Sequence, residues 1–271
     1  MIETLEARRY LAVDFLPRQT VRVSGDADDN VIEFTRSGGN VIITVDGVDE
    51  ATVAISSISR LYVYGRAGND QITFDPTLTF TTFIYSGYGD DTVIGGAGND
   101  RINGGPDNDF LDGGEGDDTL FGATGNDYLV NGPGSDDFHG GPGFDWVDYS
   151  SADDDLVISL DNFRNDGVFG ELDNVFRSAE GVIGGDSNDA ITGSNLNNIL
   201  IGGPGNDTLS GLNGSDTLDG GLGEDELYGG LGNDFFIADD SEADLLEGGG
   251  GVDTAKADDD DALTDILFFY S

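Results

Sequence analysis

Aspartate recurs every ninth residue at Asp91, Asp100, Asp109, Asp118, Asp127, Asp136 and Asp145. A second series holds Asp189, Asp207, Asp216, Asp225 and Asp234, with Asn198 in its one gap. An ionised carboxylate offers oxygen acceptors and no donor. Evenly spaced carboxylates suit the capture of a hard cation, which takes its ligands from oxygen. The rest of each nine-residue unit must then place these acids in line.

Composition agrees with a cationic partner. The 271 residues include 44 Gly, 54 Asp plus Glu and 11 Lys plus Arg, a formal charge of −43. Such a chain repels nucleic acid and anionic membrane. With no cysteine, disulfides and Cys-based zinc sites are excluded. No apolar run reaches the roughly 18 residues of a membrane-spanning helix. The charge alone suggests disorder, but 37% hydrophobic residues, with 16 Phe and 9 Tyr, argue against it.

Set out in nines from Ser86, the chain reads SGYGDDTVI, GGAGNDRIN, GGPDNDFLD, GGEGDDTLF, GATGNDYLV, NGPGSDDFH and GGPGFDWVD, ending at Asp148. From Gly184 it reads GGDSNDAIT, GSNLNNILI, GGPGNDTLS, GLNGSDTLD, GGLGEDELY and GGLGNDFFI, ending at Ile237. Single rows begin at Gly65 and Gly248, with a fainter echo at Gly25. The consensus is GGxGxDxUx, with U a large apolar residue. Such a nonapeptide is an established signature of a calcium-binding parallel β-helix. The chain closely resembles the repeats-in-toxin (RTX) family, the hemolysin-type calcium-binding repeats.

Read physically, places one to six form a loop and places seven to nine a short strand. Glycine allows left-handed backbone and close approach of the chain to a ligand. The place-eight side chain points inward, because side chains alternate along a strand. The expected interior is Val93, Ile102, Leu111, Leu120, Leu129, Phe138 and Val147, then Ile191, Leu200, Leu209, Leu218, Leu227 and Phe236. All are apolar, which a random Gly/Asp spacer would not achieve.

The resemblance implies an all-β fold: a right-handed parallel β-roll, or solenoid, with two rows per turn. It implies Ca2+ between stacked loops, shared by acids eighteen residues apart. The pairs are Asp91/Asp109, Asp109/Asp127, Asp127/Asp145, Asp100/Asp118, Asp118/Asp136, Asp189/Asp207, Asp207/Asp225, Asn198/Asp216 and Asp216/Asp234, about nine sites. Loop glycines Gly96, Gly98, Gly114, Gly116, Gly203, Gly205, Gly221 and Gly223 join the expected metal set, with Asp70, Asn198 and Asp253 as weaker members. Asp107 and Leu196 occupy fourth places, where a left-handed angle is costly for a side chain. Asn198 also lacks a charge, so the Asn198/Asp216 site is expected to be weak or empty. Ser187, in a fourth place too, weakens its own loop.

The flanks divide the chain further. Residues 1–19 form a leader-like segment, 20–64 a β-rich cap and 65–148 the first roll. Residues 149–183 are a connector that either continues the coil or breaks it, 184–237 the second roll, and 238–271 a degenerate repeat with a C-terminal cap. "NVIEFTRSGGNVIITV" predicts a hairpin about Ser37–Asn40. "LEARRYLA" is similar to the LEPR-XLL motif of planctomycete surface proteins, with Ala7 at the motif's proline. A short basic helix is the alternative. The start does not read as a standard secretory signal. "ALTDILFFYS" reads as a capping strand or as a C-terminal type I secretion signal.

Little supports catalysis. His139 is expected at a solvent-facing strand end. Trp146 is expected to face outward, packed on the connector or serving as a carbohydrate platform. The sequence has neither a His-Glu-x-x-His zinc motif nor a Gly-x-Ser-x-Gly elbow. Acid runs at Asp153–Asp155 and Asp258–Asp261 read as solvated charge. The expected protein is a non-enzymatic, extracellular or cell-surface calcium binder that folds on meeting Ca2+. Alternatives are a non-catalytic accessory module of a secreted polysaccharide- or lipid-acting enzyme, and a calcium-dependent adhesin or matrix protein. Expected partners are calcium, type I secretion machinery and a polysaccharide or cell-surface ligand, with no nucleic acid.

Overall fold

The computed structural model describes residues 12–266 and the strand Phe268–Tyr270. Most of the LEPR-XLL-like segment lies outside the described residues. No α-helix occurs among them, only strands and one 3-10 turn at Ile55–Ser57. None of the helices described is long and apolar enough to cross a membrane.

Strands of alternate rows pair in parallel with an eighteen-residue register. Ile102 lies beside Leu120, Leu111 beside Leu129, and Leu200 beside Leu218. Two rows therefore make one turn, and the molecule is a parallel β-solenoid. Each place-eight residue from Val93 to Phe236 is at most 1% exposed. Because a short strand offers one inward side chain, burial of that column requires stacked neighbours.

The coil begins earlier than the boundary read at Gly65. Thr20–Ser24 pairs in parallel with Arg60–Ala67, and Val31–Ser37 with Gln71–Phe74. The cap is thus a first turn carrying an antiparallel excursion, in which Asn40–Val45 folds back on Val31–Ser37 and Val48–Ala54 follows. The excursion covers one sheet's open edge, as solenoids require. At the other end Ala262–Thr264 and Phe268–Tyr270 each add a parallel strand.

The connector treats the two faces differently. On one face Trp146–Asp148 pairs with Gly181–Ile183, which pairs with Ile199–Pro204, so a 14-stranded sheet runs through. On the other face the 8-stranded sheet ends at Asn174–Val175. A separate 7-stranded sheet resumes with Leu156–Ser159, itself paired antiparallel to Gly167–Val168. The connector therefore continues the coil on one face and interrupts it on the other.

The outer face of the 8-stranded sheet carries stacked rings. His139 ends its strand on this outer face, half-buried between rings. It lies between Phe121 (4.5 Å between centroids) and Phe176 (3.8 Å), and Arg101 sits 4.2 Å over Phe121. Burial holds the imidazole pKa below its usual value. The Trp146 indole lies against Gly181 of the connector, where a Cβ would come within 2.4 Å of the ring.

Candidate metal centre

The place-six acids form axial ladders along both edges of the coil. In each of the nine expected pairs, the place-six N–H of one turn donates to Oδ1 of its partner, eighteen residues on. Asp91 donates to Asp109, Asp109 to Asp127 and Asp127 to Asp145. Asp100 donates to Asp118, and Asp118 to Asp136. In the second tract Asp189 donates to Asp207, Asp207 to Asp225, Asn198 to Asp216 and Asp216 to Asp234. The spacing therefore brings these residues together, and one carboxylate oxygen of each acid is used by the protein.

The other oxygen points into its own loop. A Cβ at place-one Gly104 would stand 2.1 Å from Asp109 Oδ2, so place one needs glycine for close approach and not for a left-handed angle. Oδ2 is buried and without a hydrogen-bond partner at Asp70, Asp91, Asp109, Asp118, Asp127, Asp145, Asp207, Asp216, Asp225, Asp234, Asp244 and Asp253. At Asp91 the nearby Ser86 hydroxyl is committed to the Gly104 carbonyl at 2.7 Å. Burial without a partner disfavours the charged form. It pushes Asp109 up to about 8, and Asp70, Asp118 and Asp207 up to about 7. Asp136, which keeps a Gly132 N–H partner, is raised to about 8 by burial.

Backbone carbonyls supply further oxygen. Those of Gly96, Gly98, Gly114, Gly116, Gly203 and Gly205 are directed along the stack at the next turn's glycines, where a Cβ would lie only 1.7–2.7 Å from them. Part of this capacity is used, since Gly96 O accepts from Glu115 N–H at 3.0 Å. No group of three or more His, Cys, Asp or Glu converges among the described residues. The donor set is therefore one carboxylate per loop plus carbonyls. Orphaned, buried, oxygen-only donors in a chain of charge −43 fit a hard divalent cation such as Ca2+.

Departures from the consensus fall differently than expected. Asp107 is left-handed (φ +81), as a fourth place requires, but Leu196 and Ser187 are not left-handed at all. Strain appears instead at second places the sequence reading passed over: Arg66 (φ +94), Ala123 (φ +84) and Leu212 (φ +73). Asn198 turns its amide oxygen onto the Ser194 N–H and hydroxyl and its NH2 onto the Glu180 carbonyl.

Asp70 and Asp253, read as single rows, join the same ladder through Asp91 and Asp234. Other members were missed. Asp244 accepts from Asp225 N–H across nineteen residues, because its row is one residue longer, although Asp244-Leu245-Leu246 keeps the D-x-U signal. Asp173 and Glu180 accept from Asp136 and Asp145, and no spacing signal marks them. An outer ladder at place five was also overlooked: Asn108 N–H reaches Asp90, Asn126 reaches Asn108 and Phe144 reaches Asn126, at 2.7–2.9 Å. The recurrent Asn or Asp before the place-six acid was its signal.

No curated protein matches the chain. The family model of the RTX calcium-binding nonapeptide repeat matches in four copies, over residues 85–120, 112–147, 183–218 and 201–236. These segments are the tracts whose acids form the ladders, so the chain carries RTX calcium-binding nonapeptide repeats over both tracts.

Proposed function

We propose that the chain is an extracellular or cell-surface calcium binder, without enzymatic activity of its own, that completes its fold on Ca2+. The observation that carries this reading is the row of buried Oδ2 atoms with no partner. A buried carboxylate oxygen left unpaired costs about 1–3 kcal/mol or more, and the cost recurs turn after turn. Ca2+ between stacked loops relieves it, held by the place-six carboxylates with loop carbonyls completing its shell. Binding free energy is then folding free energy. Extracellular modules bind Ca2+ at roughly 10⁻⁴–10⁻³ M, so export of a calcium-free, unfolded chain accords with folding outside the cell.

The non-enzymatic reading is supported by how the acids are used. Those of the tracts are spent on the ladders, and the only histidine is held between two rings. Calorimetric titration with Ca2+, alongside far-ultraviolet circular dichroism in chelator and in excess Ca2+, tests the proposal. The expected result is uptake of several ions with a gain of β signal. No uptake, or the same β content in both conditions, overturns it.

A further inference from the structure

The loops exist in two conformations, distinguished by the backbone at place two. In eleven rows place two is left-handed: Arg66, Gly87, Gly105, Gly114, Ala123, Gly141, Gly203, Leu212, Gly221, Gly230 and Gly249, with φ from +73 to +129. The place-six acid of every one of these rows has Oδ2 buried without a partner. In five other nine-residue rows place two is not left-handed, and its N–H turns inward onto the row's own place-six side chain; the longer Asp244 row fits neither class, with Oδ2 orphaned and Ser241 left-handed (φ +78). Gly96 donates to Asp100 at 3.2 Å and Gly185 to Asp189 at 2.7 Å. Ser194 donates to Asn198 and Asp26 to Asn30, at 2.7 and 2.8 Å. Gly132 bonds Asp136 likewise.

The residue at place six follows the same division. All eleven open loops carry Asp, whereas two of the five closed loops carry Asn. A neutral amide serves where the loop's own N–H completes the oxygen. A carboxylate is kept wherever it is left incomplete. The closed loops lie where the stack is irregular, although the open Gly140 row also abuts the connector, through Ser178 and Glu180. The Gly25 row lies in the coil's first turn, and the Gly95 row stacks on the irregular Leu78–Thr82 segment. The rows at Asn131, Gly184 and Gly193 abut the connector through Asp173, Ala152 and Glu180.

We infer that Ca2+ is confined to gaps between open loops, and that the closed loops are built-in, metal-independent ends of each ion row. The inference rests on the proposed calcium function and deepens it. Of the nine pairs expected from spacing, Asp91/Asp109, Asp109/Asp127, Asp127/Asp145, Asp207/Asp225 and Asp216/Asp234 join two open loops. Asp100/Asp118, Asp118/Asp136, Asp189/Asp207 and Asn198/Asp216 each include a closed one. Outside the matched repeats, the open Asp70 and Asp253 loops extend the rows through Asp91 and Asp234. The place-two residue type does not decide the state, because glycine occurs in both classes and Leu212 in the open one.

Equilibrium dialysis of the full chain with Ca2+, with the half-folding Ca2+ concentration read by circular dichroism, tests this. Asp127→Asn is expected to lose at least one tightly held ion and raise that concentration by about tenfold, the scale of one charged ligand interaction. Asp100→Asn and Asp189→Asn are expected to keep the wild-type ion count and move the concentration less than about twofold, since an amide is native to closed loops. Asp225→Asn repeats the open-loop measurement in the second tract, should Asp127→Asn disturb folding locally. Equal ion losses in the open and closed variants overturn the inference while leaving calcium binding intact. So does an Asp100→Asn chain that no longer folds at saturating Ca2+. A wild-type chain that binds no Ca2+ overturns the proposed function as well.

Discussion

The repeat turns and the connector solve one problem by different chemistry. Both bury aspartates against a narrow apolar interior. In the repeats each acid of an open loop gives one oxygen to a neighbouring N–H and leaves the other alone. In the connector none is left alone. Asp166 accepts from Ser159 and Val175 N–H, at 2.7 and 2.8 Å. Asp173 accepts from Asp136 N–H and from the Tyr149 hydroxyl, at 2.8 and 3.2 Å. Tyr149 is fully buried, and its phenol stands where a repeat would place nothing of its own. The difference teaches that the coil does not require metal as such. It requires a partner for the second oxygen, and the connector carries that partner in its sequence.

Protons offer the largest way to probe the contrast, because many acids act together. Burial raises most of the place-six acids, with Asp127 and Asp225 at about 6 and Asp109 at about 8. The metal-free fold therefore binds more protons than the unfolded chain between the ordinary carboxylate range and those values. Its stability is fully present below that range and is lost as pH rises to about 8. In chelator, the residual β signal is expected to be higher at pH 5 than at pH 8. In excess Ca2+ the tracts should show the opposite slope, since protons and metal compete for the same oxygens. Asp166 and Asp173, held at about 6 and 7 by burial, keep the first sign in both conditions. A chelated chain more stable at pH 8 would contradict the orphaned-oxygen account.

Next in size is the core beside the junction. Phe138 is fully buried and meets Tyr149 edge-on, with ring centroids 5.9 Å apart. Phe138→Ala is expected to cost about 3–5 kcal/mol. The 14-stranded sheet runs past the connector, so the loss should reach both tracts. Fluorescence of Trp146, the only tryptophan, reports the junction, and hydrogen exchange at Thr208–Asn213 reports the second tract. Unchanged exchange there would show that the connector separates two independent rolls.

Tyr149→Phe is a smaller and more selective change. It removes one O–H donor and leaves a buried carboxylate oxygen of Asp173 unpaired, a cost of about 1–3 kcal/mol. The loss is expected to persist in saturating Ca2+, as read by urea denaturation. A loss that disappears in saturating Ca2+ would mean that the ion takes the phenol's place, and the connector would then be one more metal turn.

Much of this was legible in the sequence. The apolar eighth place and the nine-residue spacing specify the interior, because side chains alternate along a strand, while the two-row turn and the acid pairs from Asp91 to Asp234 come from the resemblance to the RTX repeat. The loop states were not legible. Gly96 and Gly114 are identical residues at the same place, yet only Gly114 is left-handed (φ +89); Gly96 lies against the irregular Leu78 segment and Gly114 against Gly96. Asp173, Glu180 and Tyr149 lie in the connector, where no period points to them. The partial cover of His139 was not legible either, because Phe176 also comes from that segment.

The smallest expected effect separates the two ladders of the repeat itself. At place five, Phe144 N–H donates to Asn126 and Asn126 N–H to Asn108, and all this lies at the exposed rim of the loops. Asn126→Ala removes the acceptor for Phe144, but water can reach that N–H, so the cost should be about 0.5 kcal/mol by thermal melting, with no change in Ca2+ uptake. One place along, Asp145 is 0% exposed and water cannot substitute. Phe144 also ends this outer ladder, because its side chain offers no acceptor to the connector. If Asn126→Ala alters the calcium requirement, the rim residues belong to the metal shell. If it does not, the boundary between what solvent can complete and what an ion must complete runs between places five and six of each loop.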